Sequence, residues 1–179
     1  MTDMDVLEYL YKISANAVGV FILPKDVVFE ENVKMNCYYC SKYNSNWRCP
    51  PNIPDIDYEK MFSEFDKGLL IKLEYQVKTY DSFSDLRRVS SNTLHKTLLM
   101  LEKWLWERGK SNAISFGAGS CKLCKDGCGK DKCKNPGLSR CSLEAVGVHV
   151  VKTCAMANIP IYFPPTDVLA RVGLVMWQD

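Results

Sequence analysis

The chain has 179 residues, 47% of them hydrophobic and 25% charged, and a formal net charge of +2. This length and composition are typical of one globular domain that folds without disulfides. The small net charge argues against a general attraction to nucleic acid, and no apolar run reaches the ~18 residues of a membrane helix. The start, MTDMDVLEYLYK, is acidic where a secretory signal is basic. We therefore expect a cytoplasmic protein with a single domain over residues 1–179.

The first half of the chain predicts two helices, two strands and one long loop. Apolar residues at helical spacing indicate a helix from Asp3 to Ala15, and the run AVGVFIL indicates a strand over 17–23. Cysteine, proline and asparagine favour a loop over about 36–56, and a loop of this length is usually functional or held by metal. A helix over 57–65 and the strand LLIKLEYQV follow.

The second half predicts a long helix, a strand, two short helices and a hairpin. Ser84 is the expected N-cap of the long helix, which ends before Gly109, and NAISFGAG is the next strand. Ser142 caps the first short helix, and the C-terminal hairpin has strands over 161–163 and 168–177. This alternation predicts an α/β fold, a mixed sheet covered by helices with two Cys-rich metal-binding loops; α+β is the alternative.

Nine cysteines are unusual for such a chain, and they stand at positions 37, 40, 49, 121, 124, 128, 133, 141 and 154. Their number is odd, and the chain is large enough to fold without disulfides. Reduced thiolates that bind metal therefore explain them better than disulfides do. The two histidines lie outside the cysteine clusters, so any metal site here is dominated by sulfur.

The later cysteine group, CKLCKDGCGKDKC, has the spacing C-x2-C-x3-C-x4-C. Four thiolates in one glycine-bearing loop can wrap a compact inorganic core, as in ferredoxins, whereas structural zinc sites pair two more distant C-x2-C knuckles. Six basic side chains against two acidic ones precede Cys141 in this region, and they suit the negative charge of a four-thiolate cubane. We predict that a 4Fe-4S cluster, or alternatively zinc, binds Cys121, Cys124, Cys128 and Cys133.

The earlier group consists of Cys37, Cys40 and Cys49, with the spacing C-x2-C-x8-C followed by two prolines. Three ligands can hold a cubane with one open iron, or a fourth ligand can come from a distance. Cys154 is our candidate for that ligand and Cys141 is the alternative. Cys154 can equally be a core residue, since free cysteine is among the most buried residue types.

A family resemblance rests on three motifs, CYYCSKYNSNWRCPPN, SFGAGSCKLC and KCKNPGLSRCSLEAVGV. Together they resemble the domain-of-unknown-function family DUF2284, predicted metal-binding proteins of archaea and anaerobic bacteria, over about residues 27–177. The resemblance implies that the three cysteines of the earlier group and the four of the later group are metal ligands. The chain has Arg140, Cys141 and Ser142 where the family pattern has Arg-Pro-Ser, which leaves the fourth ligand of the earlier group open.

Three functions fit these features. The first is an iron-sulfur protein with two clusters that acts as an electron-transfer or accessory subunit of an anaerobic redox system, with a protein partner or an acidic electron carrier. The second is an enzyme whose three-cysteine cluster keeps an open iron for a substrate, and the third is a zinc-stapled adaptor. We favour an accessory role over a stand-alone enzyme, because no general acid or base can be named. Nucleic-acid binding is disfavoured, because no aromatic stacking set accompanies the lysines.

Overall fold

The computed structural model describes residues 1–179 and contains five α-helices, four β-strands and three short 3₁₀ turns. In chain order they are α1 (Asp3–Ile13), β1 (Ala17–Ile22), α2 (Glu31–Tyr38), α3 (Tyr58–Ser63), β2 (Lys67–Gln76), α4 (Phe83–Trp106), β3 (Ile114–Phe116), α5 (Val150–Met156) and β4 (Val168–Trp177), with 3₁₀ turns at Pro24–Asp26, Val77–Thr79 and Glu144–Val146. No helix combines the length and the apolar character that crossing a membrane requires.

The four strands form one sheet in the order β1–β2–β4–β3, and every pair of neighbours is antiparallel. The central strands β2 and β4 pair along their whole length. Successive side chains of a strand point to opposite faces, so each central strand contributes to two cores. Leu69 and Ile71 lie in the core on one face, and Leu70 and Leu174 lie in the core on the other.

Helices cover both faces of this sheet. Helices α1 and α4 pack on one face, and α3, α5 and the turn Glu144–Val146 pack on the other. Four leucines at helical spacing along one face of α4 are all buried, namely Leu94, Leu98, Leu101 and Leu105. Burying each such side chain contributes about 1.5–3 kcal/mol, so the α4 face is a major source of stability.

The predicted combination of helices with one sheet is confirmed, but the strand pairing differs in two details. The sheet has no parallel pair of strands, which fits the α+β alternative. The C-terminal hairpin is absent, since residues 161–163 form no strand and β4 pairs with β2 and β3 instead. The prolines at 160, 164 and 165 flank that segment and lack the N–H groups that a strand ladder needs.

Gly173 lies where helix α4 packs closely on β4. A Cβ atom there would be 2.9 Å from Leu98 Cδ1 and 3.0 Å from the backbone oxygen of Phe116. We expect Gly173→Ala to lower the free energy of unfolding by about 1–3 kcal/mol, because the backbone oxygen cannot move aside easily. Gly137→Ala is the matched control, since its Cβ would meet nothing within 4 Å. Equal losses for both variants in chemical denaturation would contradict this packing.

Candidate metal centre

The first cysteine loop, residues 37–52, is built from consecutive turns. Cys37 lies in the last turn of α2, and the Cys40 N–H donates to its carbonyl oxygen at 3.1 Å. The Asn44 N–H donates to the Pro50 carbonyl oxygen at 2.9 Å, which brings the two sides of the loop together. The backbone thus fixes the path along which the three cysteines of this loop are arranged.

The second cysteine loop, residues 117–142, leaves the sheet at the end of β3 and is closed at its base. The Gly117 N–H donates to the Cys141 carbonyl oxygen at 2.8 Å, and the Leu143 N–H donates to the Gly117 carbonyl oxygen at 2.9 Å. Between these ends, only three hydrogen bonds join one backbone group of the loop to another. The conformation of the loop therefore depends on side chains and on its contacts with the rest of the protein.

Three consecutive side chains of the first loop attach it to the second. Asn46 Nδ2 donates to the Cys121 oxygen at 3.1 Å, and Trp47 Nε1 donates to the Gly129 oxygen at 2.8 Å. Arg48 Nε donates to Ser139 Oγ at 2.6 Å. Sequence analysis did not find these roles, because a side chain that binds a distant backbone or hydroxyl group leaves no spacing pattern. The two cysteine groups, 72 residues apart in sequence at Cys49 and Cys121, are therefore neighbours in space.

Hydrogen-bond donors lie against two sulfur atoms of the second loop. Asn135 Nδ2 donates to Cys124 Sγ at 3.2 Å, and Cys133 Sγ is 3.4 Å from Ser139 Oγ. Donors of this kind orient metal-ligating side chains and tune the metal they hold. The loop therefore contains outer contacts that suit thiolate ligands.

The thiol of Cys49 is the most sheltered of the first loop, with 9% of the residue exposed. Its pKa is raised to about 12, mainly by burial and to a smaller extent by the neighbouring thiolates of Cys37, Cys40, Cys141 and Cys121. Such mutual effects require sulfur atoms from both loops to lie within electrostatic range of Cys49. A positive partner such as a metal ion removes this barrier to ionisation.

The two candidates for the fourth ligand of the first loop have different surroundings. Cys37 Sγ donates to the Glu144 oxygen at 3.6 Å, three residues after Cys141, and Cys141 adds to the electrostatic effect on Cys49. Cys154 is fully buried in an apolar core, and the only charge that acts on its pKa is that of Lys72. Cys141, which packs at the edge of the same core, thus lies within electrostatic range of Cys49, while the ligand role of Cys154 stays a prediction without local support.

Coordination itself is not formed in this structure. No group of three or more Cys, His, Asp or Glu side chains is close enough to hold a metal ion. The chemistry of the donor set nevertheless fits a metal that prefers sulfur, because the seven thiols of the two cysteine groups lie on two adjoining loops and two of those thiols form hydrogen bonds with polar side chains. The ligand assignments made from the sequence stay predictions.

A buried ion pair anchors the returning end of the second loop. Arg140 Nε donates to Glu102 Oε1 at 2.7 Å, its Nη2 donates to the other carboxylate oxygen, and the Ser115 hydroxyl also donates to this carboxylate. Only 1% of Glu102 is exposed. The loop is thereby joined to both α4 and β3. Sequence analysis missed this pair, although Glu102 stands four residues after Leu98 and so lies on the buried face of α4.

A second anchor comes from His95 of α4, whose Nε2–H donates to the Leu138 oxygen at 2.6 Å. Burial lowers the pKa of His95 below its ordinary value of 6.5, and the positive charge of Arg140 lowers it further. The hydrogen bond to Leu138 and the negative charge of Glu102 partly oppose this shift. The unfolded chain therefore binds this proton at a higher pH than the folded chain does. The contribution of His95 to the free energy of unfolding is therefore present above about pH 6.5 and is lost as the pH drops towards the folded pKa.

Urea denaturation from about pH 5 to about pH 7.5 measures this dependence. His95→Gln keeps a donor for the Leu138 oxygen but has no proton to gain, so its stability should vary less over this range. An identical pH dependence in the wild type and the variant would contradict the role of His95.

A comparison with family models finds the family described as "Predicted metal-binding protein (DUF2284)", matched over residues 20–177. The match covers most of the chain and confirms the resemblance read from the cysteine motifs. Neither the curated proteins nor the solved structures contain a significant match. The family description supports metal binding in general and names neither a metal nor a reaction.

Proposed function

We propose that this chain, which belongs to the predicted metal-binding family DUF2284, holds two 4Fe-4S clusters and acts as an electron-transfer or accessory subunit of an anaerobic redox system. The observation that carries the proposal is the direct attachment of the first loop to the second by Asn46, Trp47 and Arg48. Because the two sulfur-rich loops adjoin, two redox centres held there would be neighbours. Iron-sulfur clusters supply one-electron transfer when bound.

The proposal divides eight thiols into two sets of four. The first set is Cys37, Cys40, Cys49 and Cys141, and the second set is Cys121, Cys124, Cys128 and Cys133. Cys141 takes the place of Cys154 because it lies within electrostatic range of Cys49, whereas Cys154 is fully buried in an apolar core. The compact spacing of the second set is closer to a ferredoxin loop than to paired zinc knuckles.

The surrounding residues have separate tasks in this proposal. Asn135 donates to Cys124 Sγ, and the Ser139 hydroxyl beside Cys133 Sγ would donate to a thiolate there, so both side chains stabilise negative charge on sulfur. The shelter around Cys49 keeps water from that sulfur and strengthens the electrostatic effect of nearby charges on the site. Basic side chains of the second loop offset the negative charge that four thiolates and a cluster carry together.

The same basic side chains suggest how a redox partner would be recognised. Lys125, Lys130 and Lys132 are exposed on the second loop. A positive surface beside a redox centre steers an acidic electron carrier, or the acidic face of a larger redox complex, towards that centre.

Anaerobic purification tests the proposal, with iron, sulfide and zinc quantified beside the visible absorption and electron paramagnetic resonance spectra. We expect roughly eight iron and eight sulfide ions per chain, as two cubanes require. A colourless protein that contains zinc and no iron would overturn the proposal in favour of a zinc-stapled adaptor.

A further inference from the structure

We propose that the cleft between the two cysteine loops and the start of α4 binds a small phosphate-bearing molecule beside the second cysteine set. This inference depends on cations rather than on sulfur, so it and the proposed function can fail separately. The cleft has a volume of about 770 Å³, within the range of small-molecule sites. The loop thiols Cys121, Cys124, Cys128 and Cys133 form part of its lining.

Apart from its thiols, the ionisable side chains that line the cleft are all basic. Seven basic side chains line it and no acidic one does; they are Lys42, Arg48, Arg87, Arg88, Lys122, Lys125 and Lys134. They come from three separate segments, the first loop, α4 and the second loop, and they converge on one concave space. The folded structure therefore brings these basic side chains together, since no single stretch of the sequence contains them all.

Most of these basic side chains have no carboxylate partner within the protein. Of the seven basic side chains only Arg88 has a carboxylate within 4.0 Å, that of Asp85 at 3.4 Å. Behind them, Arg171 of β4 binds Ser90 Oγ at 3.0 Å and the Arg87 oxygen at 3.5 Å and has no acidic partner. Like charges gathered in one concave space create a positive potential that favours the binding of an anion.

The shape and composition of the cleft favour an organic phosphate over an acidic protein. Arginine pairs with phosphate through two parallel hydrogen bonds, and the side chains of Arg87 and Arg88 are exposed at the same wall. Trp47, Phe83 and Leu123 add apolar surface to the lining, which can contact the organic part of such a ligand. A stable protein interface buries about 800 Å² on each partner, which is more than one cleft of small-molecule size offers.

Isothermal titration calorimetry on the anaerobically purified chain tests the inference at ~0.15 M salt, with adenosine triphosphate and inorganic pyrophosphate as separate probes and without added magnesium. We expect the nucleotide to bind and Arg87→Gln/Arg88→Gln to weaken its binding roughly tenfold or more. The matched control is Lys96→Gln/Lys103→Gln, which removes the same charge from α4 outside the cleft lining and should leave the affinity unchanged.

If the nucleotide binds more tightly than pyrophosphate, the natural ligand has an organic part. If the two affinities are equal, the cleft recognises phosphate alone. In both cases the arginine variant must bind the probe more weakly than the wild type does. No binding of either probe would overturn the inference. Equal weakening by the arginine and lysine variants would also overturn it, as would tighter binding of an acidic peptide than of both probes. The arginine variant should keep the iron content of the wild type, which separates this test from that of the clusters.

Discussion

Replacing Glu102 with alanine is expected to lower the free energy of unfolding by about 3–5 kcal/mol, because the change leaves the Arg140 guanidinium without its partner in a largely buried site. The Ser115 hydroxyl also loses its acceptor. Since Arg140 stands at the returning end of the second loop, the variant should also release iron more readily than the wild type does. Chemical denaturation and iron analysis of the same preparation measure both effects.

The matched control lies at the C-terminal end of the same helix. Glu107 forms an exposed pair with Lys103 at 3.8 Å, and exposed pairs contribute about 0–1 kcal/mol. Glu107→Ala should therefore change stability little. The double variant Glu102→Leu/Arg140→Met should be more stable than Glu102→Leu alone, since it removes the unpaired charge. A double variant as unstable as the single one would argue against the buried pair as the source of the effect.

Replacing Cys141 with alanine is expected to remove about half of the bound iron, because one of two clusters loses a ligand. Alanine is chosen over serine since a hydroxyl group can still coordinate iron. The second loop keeps Cys121, Cys124, Cys128 and Cys133, so its cluster should remain. Iron and sulfide analysis, together with the amplitude of the visible absorption, measures the loss.

Cys154→Ala is the control for this variant. Its thiol lies in an apolar core on α5, so alanine should cost some packing energy but leave the iron content at the wild-type level. The reverse result, with full iron in Cys141→Ala and half the iron in Cys154→Ala, would return the fourth ligand to Cys154.

Hydrophobic periodicity predicted most of the regular structure. The apolar spacing of α1 and the leucine face of α4 gave both helices, and the β-branched runs gave β1, β2 and β4. Helix α2 was missed because it is short and has little apolar character. It is supported by distant contacts, among them the hydrogen bond from the Glu30 N–H to the Gly147 oxygen at 3.0 Å. Strand order could not be read from the sequence, since β2 pairs with a strand about 100 residues away.

The candidate site, like the fold, could be predicted only in part from the sequence. Cysteine spacing predicted two groups, because ligand side chains must recur at short intervals along a loop to surround one centre. The spacing could not show that the loops adjoin, which depends on Asn46, Trp47 and Arg48. Nor could it distinguish Cys141 from Cys154, since that choice depends on which residue the fold brings beside Cys49.

The central claim is that two adjoining sets of four cysteines each hold an iron-sulfur cluster. Native mass spectrometry of the anaerobically purified chain tests it most directly, because it counts the clusters on each molecule. We expect the main species to carry the mass of two 4Fe-4S clusters, and Cys49→Ala and Cys133→Ala each to carry one. A wild-type chain that carries only zinc ions, or a cluster count that neither variant lowers, would contradict the claim.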